Sequence, residues 1–400
     1  MLAVPTYPFL VNPGKDYAEV NMRTVLFLLL IPNFLTCAAQ STPVVLGVDE
    51  STIKQVVDGY MQPFLAKTAA PGAIVGVSLH GKRYFYTYGV STDNGSPFTP
   101  NTLVEIGSCT KVFTTTLFAL AVGRNQISPD ASAQQYMPDG FTLQQPNAQQ
   151  MTPLELADFT SGLPEDPTNL PKGLEQRGIK DYTVHDFLSW ISGWEPANAP
   201  PAPYLYSNAG IGLLSFLVAT ATHQPWDPQL KREILDPLGM GDTELRPSEI
   251  QQQRLAQGHR ENGTPAPSWP IYAWFAAGGL RSTATDMLGF GEANLGHSQV
   301  DGNAVSAELI AAMKSAQAPI YLMPNGINKQ AMAWVVNLGN GEPQLKPEIL
   351  KDGGTVGFST VILLNPAKDL AIFIAVNKQQ ARPSPIAVTI GRHIASAPMN

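Results

Sequence analysis

A serine three residues ahead of a lysine means little alone and more in the right company. Val104-Glu-Ile-Gly-Ser-Cys-Thr-Lys111 runs into the apolar stretch Val112 to Val122. If Ser108 opens a helix there, one turn sets the Lys111 amine beside the Ser108 hydroxyl. A serine needs such a neighbouring base to act as a nucleophile at neutral pH. A helix start also offers free backbone N–H groups and the positive end of the helix dipole, both suited to an oxyanion. The plain reading is an N-cap serine, because Ser-x-x-Lys arises often by chance. Cys109 is an alternative nucleophile, but its neighbours make Ser108 the better candidate.

Two further groups supply the company. Tyr206-Ser207-Asn208 follows a Pro-rich loop and precedes an apolar stretch from Gly210 to Ala221, and Lys351-Asp352-Gly353-Gly354 precedes the β-rich segment at Thr360. A tyrosine with its usual pKa is ionised in about one part in a thousand at pH 7. Two flanking ammonium groups, Lys111 and Lys351, favour the phenolate and make Tyr206 a usable base. Gly353 and Gly354 let a substrate lie against the strand edge and free the Gly354 N–H as a second oxyanion donor. Taken singly, Tyr-Ser-Asn reads as a turn and Lys-Asp-Gly-Gly as a hairpin tip. Their order and spacing favour chemistry.

Here the chain resembles the class C β-lactamases and the related penicillin-binding DD-peptidases and family VIII esterases. The resemblance rests on Glu105 to Lys111, Leu154-Glu-Leu-Ala-Asp-Phe-Thr-Ser-Gly-Leu-Pro164, Tyr206 to Asn208, Pro237-Leu-Gly-Met240, Gly278-Gly-Leu-Arg-Ser-Thr283 and Lys351 to Phe358. It implies an acyl-enzyme on Ser108, proton transfer by Lys111 and Tyr206, a substrate amide held by Asn208 and charge steadied by Lys351. It implies hydrolysis of a β-lactam amide first. The alternatives are a D-Ala-D-Ala carboxypeptidase or endopeptidase, a carboxylesterase, and a non-enzymatic penicillin-binding sensor that stays acylated. Asp352 departs from the family pattern, which has Thr or Ser after the lysine to help hold the substrate carboxylate. An acid facing the cleft repels a carboxylate by about 1 kcal/mol in water at 4 Å; alternatively it pairs with Lys351 or caps the turn.

Other chemistries find less support. Glu165 matches the spacing of the deacylating glutamate of class A β-lactamases but lies ahead of Tyr206, in the wrong chain order. The six histidines show no His-Glu-x-x-His spacing, so no metal is expected. No Gly-x-Ser-x-Gly elbow and no Gly-x-Gly-x-x-Gly after a strand occurs, and no cofactor is expected.

The elements that must position these residues follow from patterning. Asp49-Glu50-Ser51 opens a helical stretch to about Ala66, and Gly72 to Leu79 and Arg83 to Gly89 read as a hairpin. A helix-rich middle spans 106–271. The sheet pattern returns at Thr360 to Leu364 and Leu370 to Val376, with a last helix from about Pro385 to Ser396. The expected fold is therefore α/β of the α+β kind. An antiparallel sheet built from both chain ends is flanked by terminal helices, with a mostly helical inserted lobe. The expected division is a leader over 1–39, a sheet lobe of 40–105 and 272–400, and a helical lobe of 106–271, with the catalytic cleft between the lobes.

Composition bounds the rest. The chain has 400 residues, 44% hydrophobic and 14% charged, with a net charge of −7. That balance suits a globular protein and lacks the basic footprint of a nucleic-acid binder. Arg23, the apolar run Val25 to Ile31 and the small pair Ala38-Ala39 follow the order of a secretory signal peptide with a start at Met22. Cys37 as a lipoprotein cysteine is the lesser alternative. The expectation is an exported, periplasmic or secreted monomer with no membrane span in the mature chain, acting on a small-molecule or peptidoglycan-derived substrate. Cleavage after Ala39 leaves Cys109 alone and the fold without a disulfide.

Overall fold

A strand that is apolar at every position needs cover on both faces. Leu370–Val376 is such a strand, and all seven of its residues are buried. The computed structural model describes residues 49–170, 181–338 and 347–396. The expectations for Met22, Cys37 and the Ala39 cleavage site lie outside the described residues. Of the two units of the chain, Met1–Val44 and Val45–Asn400, the second carries the whole of the described structure.

Its strands are β1 (Gly72–Leu79), β2 (Lys82–Gly89), β3 (Val104–Glu105), β4 (Arg281–Ser282), β5 (Gln299–Val300), β6 (Asn303–Ala304), β7 (Tyr321–Leu322), β8 (Asn328–Gln330), β9 (Val335–Asn337), β10 (Glu348–Gly354), β11 (Ser359–Asn365) and β12 (Leu370–Val376). Eight of them form one sheet in the order β2-β1-β12-β11-β10-β9-β8-β7. Its pairs are antiparallel, and β1 from the N-terminal half pairs with β12 near the C-terminus, Ala73 opposite Val376 and Leu79 opposite Leu370. The sheet is built from both ends of the chain, as the patterning predicted.

Period-two alternation decides which side chain meets which layer. Val75, Val77, Leu363, Ile372 and Ile374 face the terminal helices Glu50–Thr68 and Ser384–Ser396, meeting Ile53, Val57, Met61, Ile390 and Ile394. Ile74, Ile362, Leu364 and Phe373 face the opposite core, which includes Phe113, Leu288 and Phe290. The first helix begins where predicted because the Asp49 carboxylate accepts the Thr52 N–H at 2.8 Å, an N-cap bond. The helix Thr110–Gly123 is buried from Thr110 to Ala121. A helix apolar all round belongs inside the protein, and this one threads the core with the candidate nucleophile at its start.

Two features differ from the sequence reading. Lys351 to Gly354 is no hairpin tip but the end of β10, with Lys351 opposite Ile362 and Gly354 opposite Ser359. Strands β7 to β9 were not expected, because they are two or three residues long and carry too few alternating positions to show a period. Among the described residues no helix is long and apolar enough to cross a membrane.

Candidate active site

Ser108 sits in a single 3-10 turn, Gly107–Cys109, that flows into the helix Thr110–Gly123. Gly107 makes the entry with φ +51°, and a Cβ there would lie 2.6 Å from the Gly354 backbone N. The left-handed conformation and the close approach both call for glycine. One turn on, Lys111 is completely buried. Its Nζ reaches three oxygens: Ser108 Oγ at 3.0 Å, Asn208 Oδ1 at 2.6 Å and the Ala277 carbonyl at 2.7 Å. Burial, and then the nearby Lys351 charge, holds the Lys111 pKa well below that of an ordinary lysine. Cys109 points the other way, its Sγ 3.3 Å from the Lys351 carbonyl. Burial pushes its thiol up to about 11, which leaves it protonated and unreactive.

Tyr206 and Asn208 are delivered by the start of the helix Asn208–Thr222. Ser207 caps that helix, accepting the Gly210 N–H at 2.8 Å, and donates to the Pro164 carbonyl at 2.6 Å. The Glu165 carbonyl accepts the Asn208 N–H at 2.7 Å, so the loop after Pro164 is tied to the same helix end. The Tyr206 ring packs on Phe159 with centroids 4.9 Å apart. Lys111 Nζ and Lys351 Nζ lie 4.9 Å and 5.2 Å from its centroid. Both ammonium positions flank the ring, yet the phenolate is not favoured. Burial raises the Tyr206 pKa by more than Lys351 and the Ser108 hydroxyl lower it. The expectation of a resting phenolate is thus corrected: desolvation outweighs the two charges. Lys111, whose pKa burial presses down, is the better candidate base.

Lys351 and Asp352 lie on β10. The Lys351 Nζ donates to Asp352 Oδ1 at 3.0 Å; the lysine side chain is buried and the aspartate 64% exposed. Burial presses on the Lys351 ammonium, but Tyr206 and Asp352 more than offset it and hold its pKa up. Asp352, in turn, is kept ionised by Lys351. Of the two orientations open to the sequence reading, the structure adopts the pair with Lys351. Gly353 has a packing reason rather than a substrate-facing one. A Cβ there would lie 2.0 Å from the Ile106 carbonyl. Gly354 is open, with only the Phe358 carbonyl near its Cβ direction, at 4.0 Å.

Above this machinery opens a cleft of about 630 Å³, with Ser108, Tyr206, Asn208 and Gly354 among its walls. Trp269, Tyr272 and Trp274 also line it, stacked edge to face at 5.8 Å and 4.8 Å between centroids. A family model described as Beta-lactamase matches residues 57–395. The chain belongs to the β-lactamase family. A β-lactamase of Pseudomonas fluorescens is 29% identical over 351 residues, covering 82% of this chain and 94% of that protein. The crystal structure of a class C β-lactamase from Rhodobacter sphaeroides matches with a TM-score of 0.71 at 25% identity, over 85% of this chain and 98% of that one. A D-alanine carboxypeptidase from Burkholderia cenocepacia is similar too, with a TM-score of 0.72 at 25% identity over 86% and 99% of the two chains.

In this β-lactamase-family site the structure brings Ser108, Lys111, Tyr206, Asn208, Lys351 and Gly354 together. Asp352 joins them through Lys351, and Gly353 underlies the nucleophile loop. Sequence reasoning missed three contributors. The Ala277 carbonyl is a backbone acceptor, and no residue type announces it. The aromatic wall at 269–274 straddles the boundary drawn at 271/272 between the helical middle and the sheet lobe, a stretch given no role in the site. Glu165 and Asp166 also line the cleft, although Glu165 had been set aside on chain order. The bond that draws them in, Asn208 Nδ2 to Asp166 Oδ1 at 3.0 Å, is a tertiary contact with no local signal.

Proposed function

We propose that this protein is a serine β-lactamase that opens the lactam ring through an acyl-enzyme on Ser108. The observation that carries the reading is the Lys111 Nζ to Ser108 Oγ contact of 3.0 Å, made by a lysine that burial drives toward the neutral amine. In acylation the Lys111 lone pair takes the Ser108 proton as Oγ bonds to the lactam carbonyl carbon. The N–H groups of Ser108 and Gly354 receive the oxyanion. Collapse breaks the ring C–N bond, and the leaving nitrogen takes a proton from Lys111 relayed through the Tyr206 hydroxyl. Water then passes a proton back along that route and adds to the ester carbonyl. Ser108 Oγ departs and is reprotonated. Lys351, held as an ammonium, steadies negative charge on the phenol oxygen, and Asn208 orients both Lys111 and the substrate amide.

A second reading, D-alanine carboxypeptidase, is favoured by the similarity to a structure of that name. A side-by-side kinetic panel of nitrocefin, a D-Ala-D-Ala peptide and p-nitrophenyl butyrate separates the two, with intact mass reporting the adduct on Ser108. Fast nitrocefin turnover with slow peptide turnover supports the lactamase, and the reverse order replaces it. A penicilloyl adduct that persists for hours would instead indicate a sensor. The reading extends to a cleft set between a sheet lobe and a helical lobe, to a monomer, and to export directed by the segment from Met22 to Ala39. N-terminal sequencing of the secreted protein tests the export.

A further inference from the structure

The cleft of this β-lactamase-family protein is lined by charges of both signs. The acidic ones are Glu165 and Asp166, tied to the start of the helix Asn208–Thr222. The basic one is Arg260, fixed against the turn after β10 by the His259 N–H to Gly357 carbonyl bond of 3.1 Å and backed by Gln379, whose N–H meets the His259 carbonyl at 2.8 Å. All four residues line the cleft. Among the described residues neither carboxylate has a cationic partner within salt-bridge distance, and the Arg260 guanidinium has no acidic one. Trp269, Tyr272 and Trp274 add π-faces to the same cavity.

We propose that Glu165 and Asp166 form a subsite for a protonated amine on the acyl half of the substrate, so that the enzyme prefers acyl donors carrying an ammonium group there. The acyl half is assigned because Asp166 is hydrogen-bonded to Asn208, the residue that orients the substrate amide. This inference rests on the acyl-transfer reading above. An ammonium supplies a counter-charge that neither acid finds within salt-bridge distance among the described residues and gains a cation–π contact with the indole and phenol faces. Arg260, in the same cleft, suits the carboxylate of a zwitterionic substrate. Partial desolvation and the Asp166 charge already hold the Glu165 pKa above its ordinary value, the state of a carboxylate that a bound cation relieves.

Ampicillin and benzylpenicillin differ by one amine on the acyl side chain, and their kcat/KM ratio isolates it. Measured at about pH 6, below the α-amino range, the ratio should favour ampicillin in the native protein. It should fall about fivefold in Glu165→Gln and about tenfold in Glu165→Gln/Asp166→Asn, the size of one or two partly screened ion pairs. Because Glu165 is exposed, Glu165→Gln poses little threat to folding. A second readout needs no variant: raising NaCl from about 0.05 to about 0.5 M should shrink the native ratio by screening. Ratios that stay within about twofold in both variants and across salt overturn the subsite while leaving the lactamase intact. If the native enzyme turns over neither penicillin, the lactamase reading fails instead. The subsite is then judged on Nα-acetyl-Lys-D-Ala-D-Ala against its diacetyl form, by the same ratio and the same variants. If neither pair reacts, both readings fall.

Discussion

Removing the Asp352 charge should move the acid limb of the pH–rate profile to lower pH. The carboxylate lies 3.0 Å from Lys351 Nζ. Two unit charges at that distance interact by about 1.4 kcal/mol at the permittivity of water and about 5.5 kcal/mol at an effective value near 20. With the aspartate side chain 64% exposed, the screened end applies, and about 1.4 kcal/mol is one pKa unit. Asp352→Asn should therefore lower the Lys351 pKa by about one unit, because a nearby anion favours the ammonium and its removal does not. The direction is the same for the other two groups, since the Asp352 charge also raises Lys111 and Tyr206. A base that must be deprotonated then becomes active at lower pH.

The assay is kcat/KM for nitrocefin between about pH 5 and pH 11 at constant ionic strength, native protein against Asp352→Asn, with p-nitrophenyl butyrate in parallel. The expected result is an acid limb displaced to lower pH in Asp352→Asn, because the Lys111 base loses a charge that raised its pKa while the Lys351 ammonium stays protonated across this range. The ratio of the carboxylate-bearing cephalosporin to the ester should change little, because Asp352 pairs with Lys351 and is not among the residues lining the cleft. Superimposable profiles would refute the reasoning, because they would mean that the Lys351–Asp352 pair does not set the proton inventory of the site. A displaced acid limb with a shifted substrate ratio would keep the electrostatics and return Asp352 to specificity.

Ser108→Ala should abolish turnover and the acyl adduct in intact mass while changing unfolding free energy by no more than about 1 kcal/mol, whereas Cys109→Ala, facing the sheet, should keep most activity. Lys111→Ala and Tyr206→Phe should each lose at least about a hundredfold in kcat/KM; in the double variant the losses should not multiply, since both groups handle one proton, and full additivity would assign them to different steps. Gly353→Ala should destabilise by about 3 kcal/mol in chemical denaturation, because its Cβ meets a carbonyl that cannot move without the nucleophile loop. A fully stable Gly353→Ala protein would show that the seam is slacker than its distances.

What was legible in advance was chemistry that residue type and chain order carry together. Ser108 and Lys111 are three apart across the turn that runs into one helix, so their contact is local. The sheet from both chain ends was legible because β1, β11 and β12 are long apolar runs with only one way to be covered. Tyr206 was found, but its ionisation was misjudged. Charges flanking a ring can be guessed from sequence, while the depth of burial that outweighs them cannot. Glu165 and Asp166 were missed for a related reason. Chain order argued against one familiar role, yet the loop after Pro164 reaches the cleft through the Glu165 carbonyl and the Asp166 side chain, both long-range contacts.

The placement of the nucleophile depends less on its own side-chain contacts than on a backbone seam. Gly107 and Gly353 each stand where a methyl group would strike the facing chain, at the Gly354 amide and the Ile106 carbonyl respectively. The Thr360 hydroxyl closes the seam by donating to the same Ile106 carbonyl at 2.9 Å. Ser108 is thereby held to the strand edge that carries Lys351 and Gly354, while Lys111 reaches across to Asn208 on another helix. Positions set by packed backbone move little. Side chains on the wall of the cleft, such as Glu165 and Arg260, can therefore differ in charge without moving the reacting groups, although the Glu165 charge also raises the pKa of Lys111 and Tyr206. Reactivity is set at the seam and substrate choice at the wall. Substitutions at Gly107 or Gly353 should thus depress all substrates together, while substitutions at Glu165 should re-rank them.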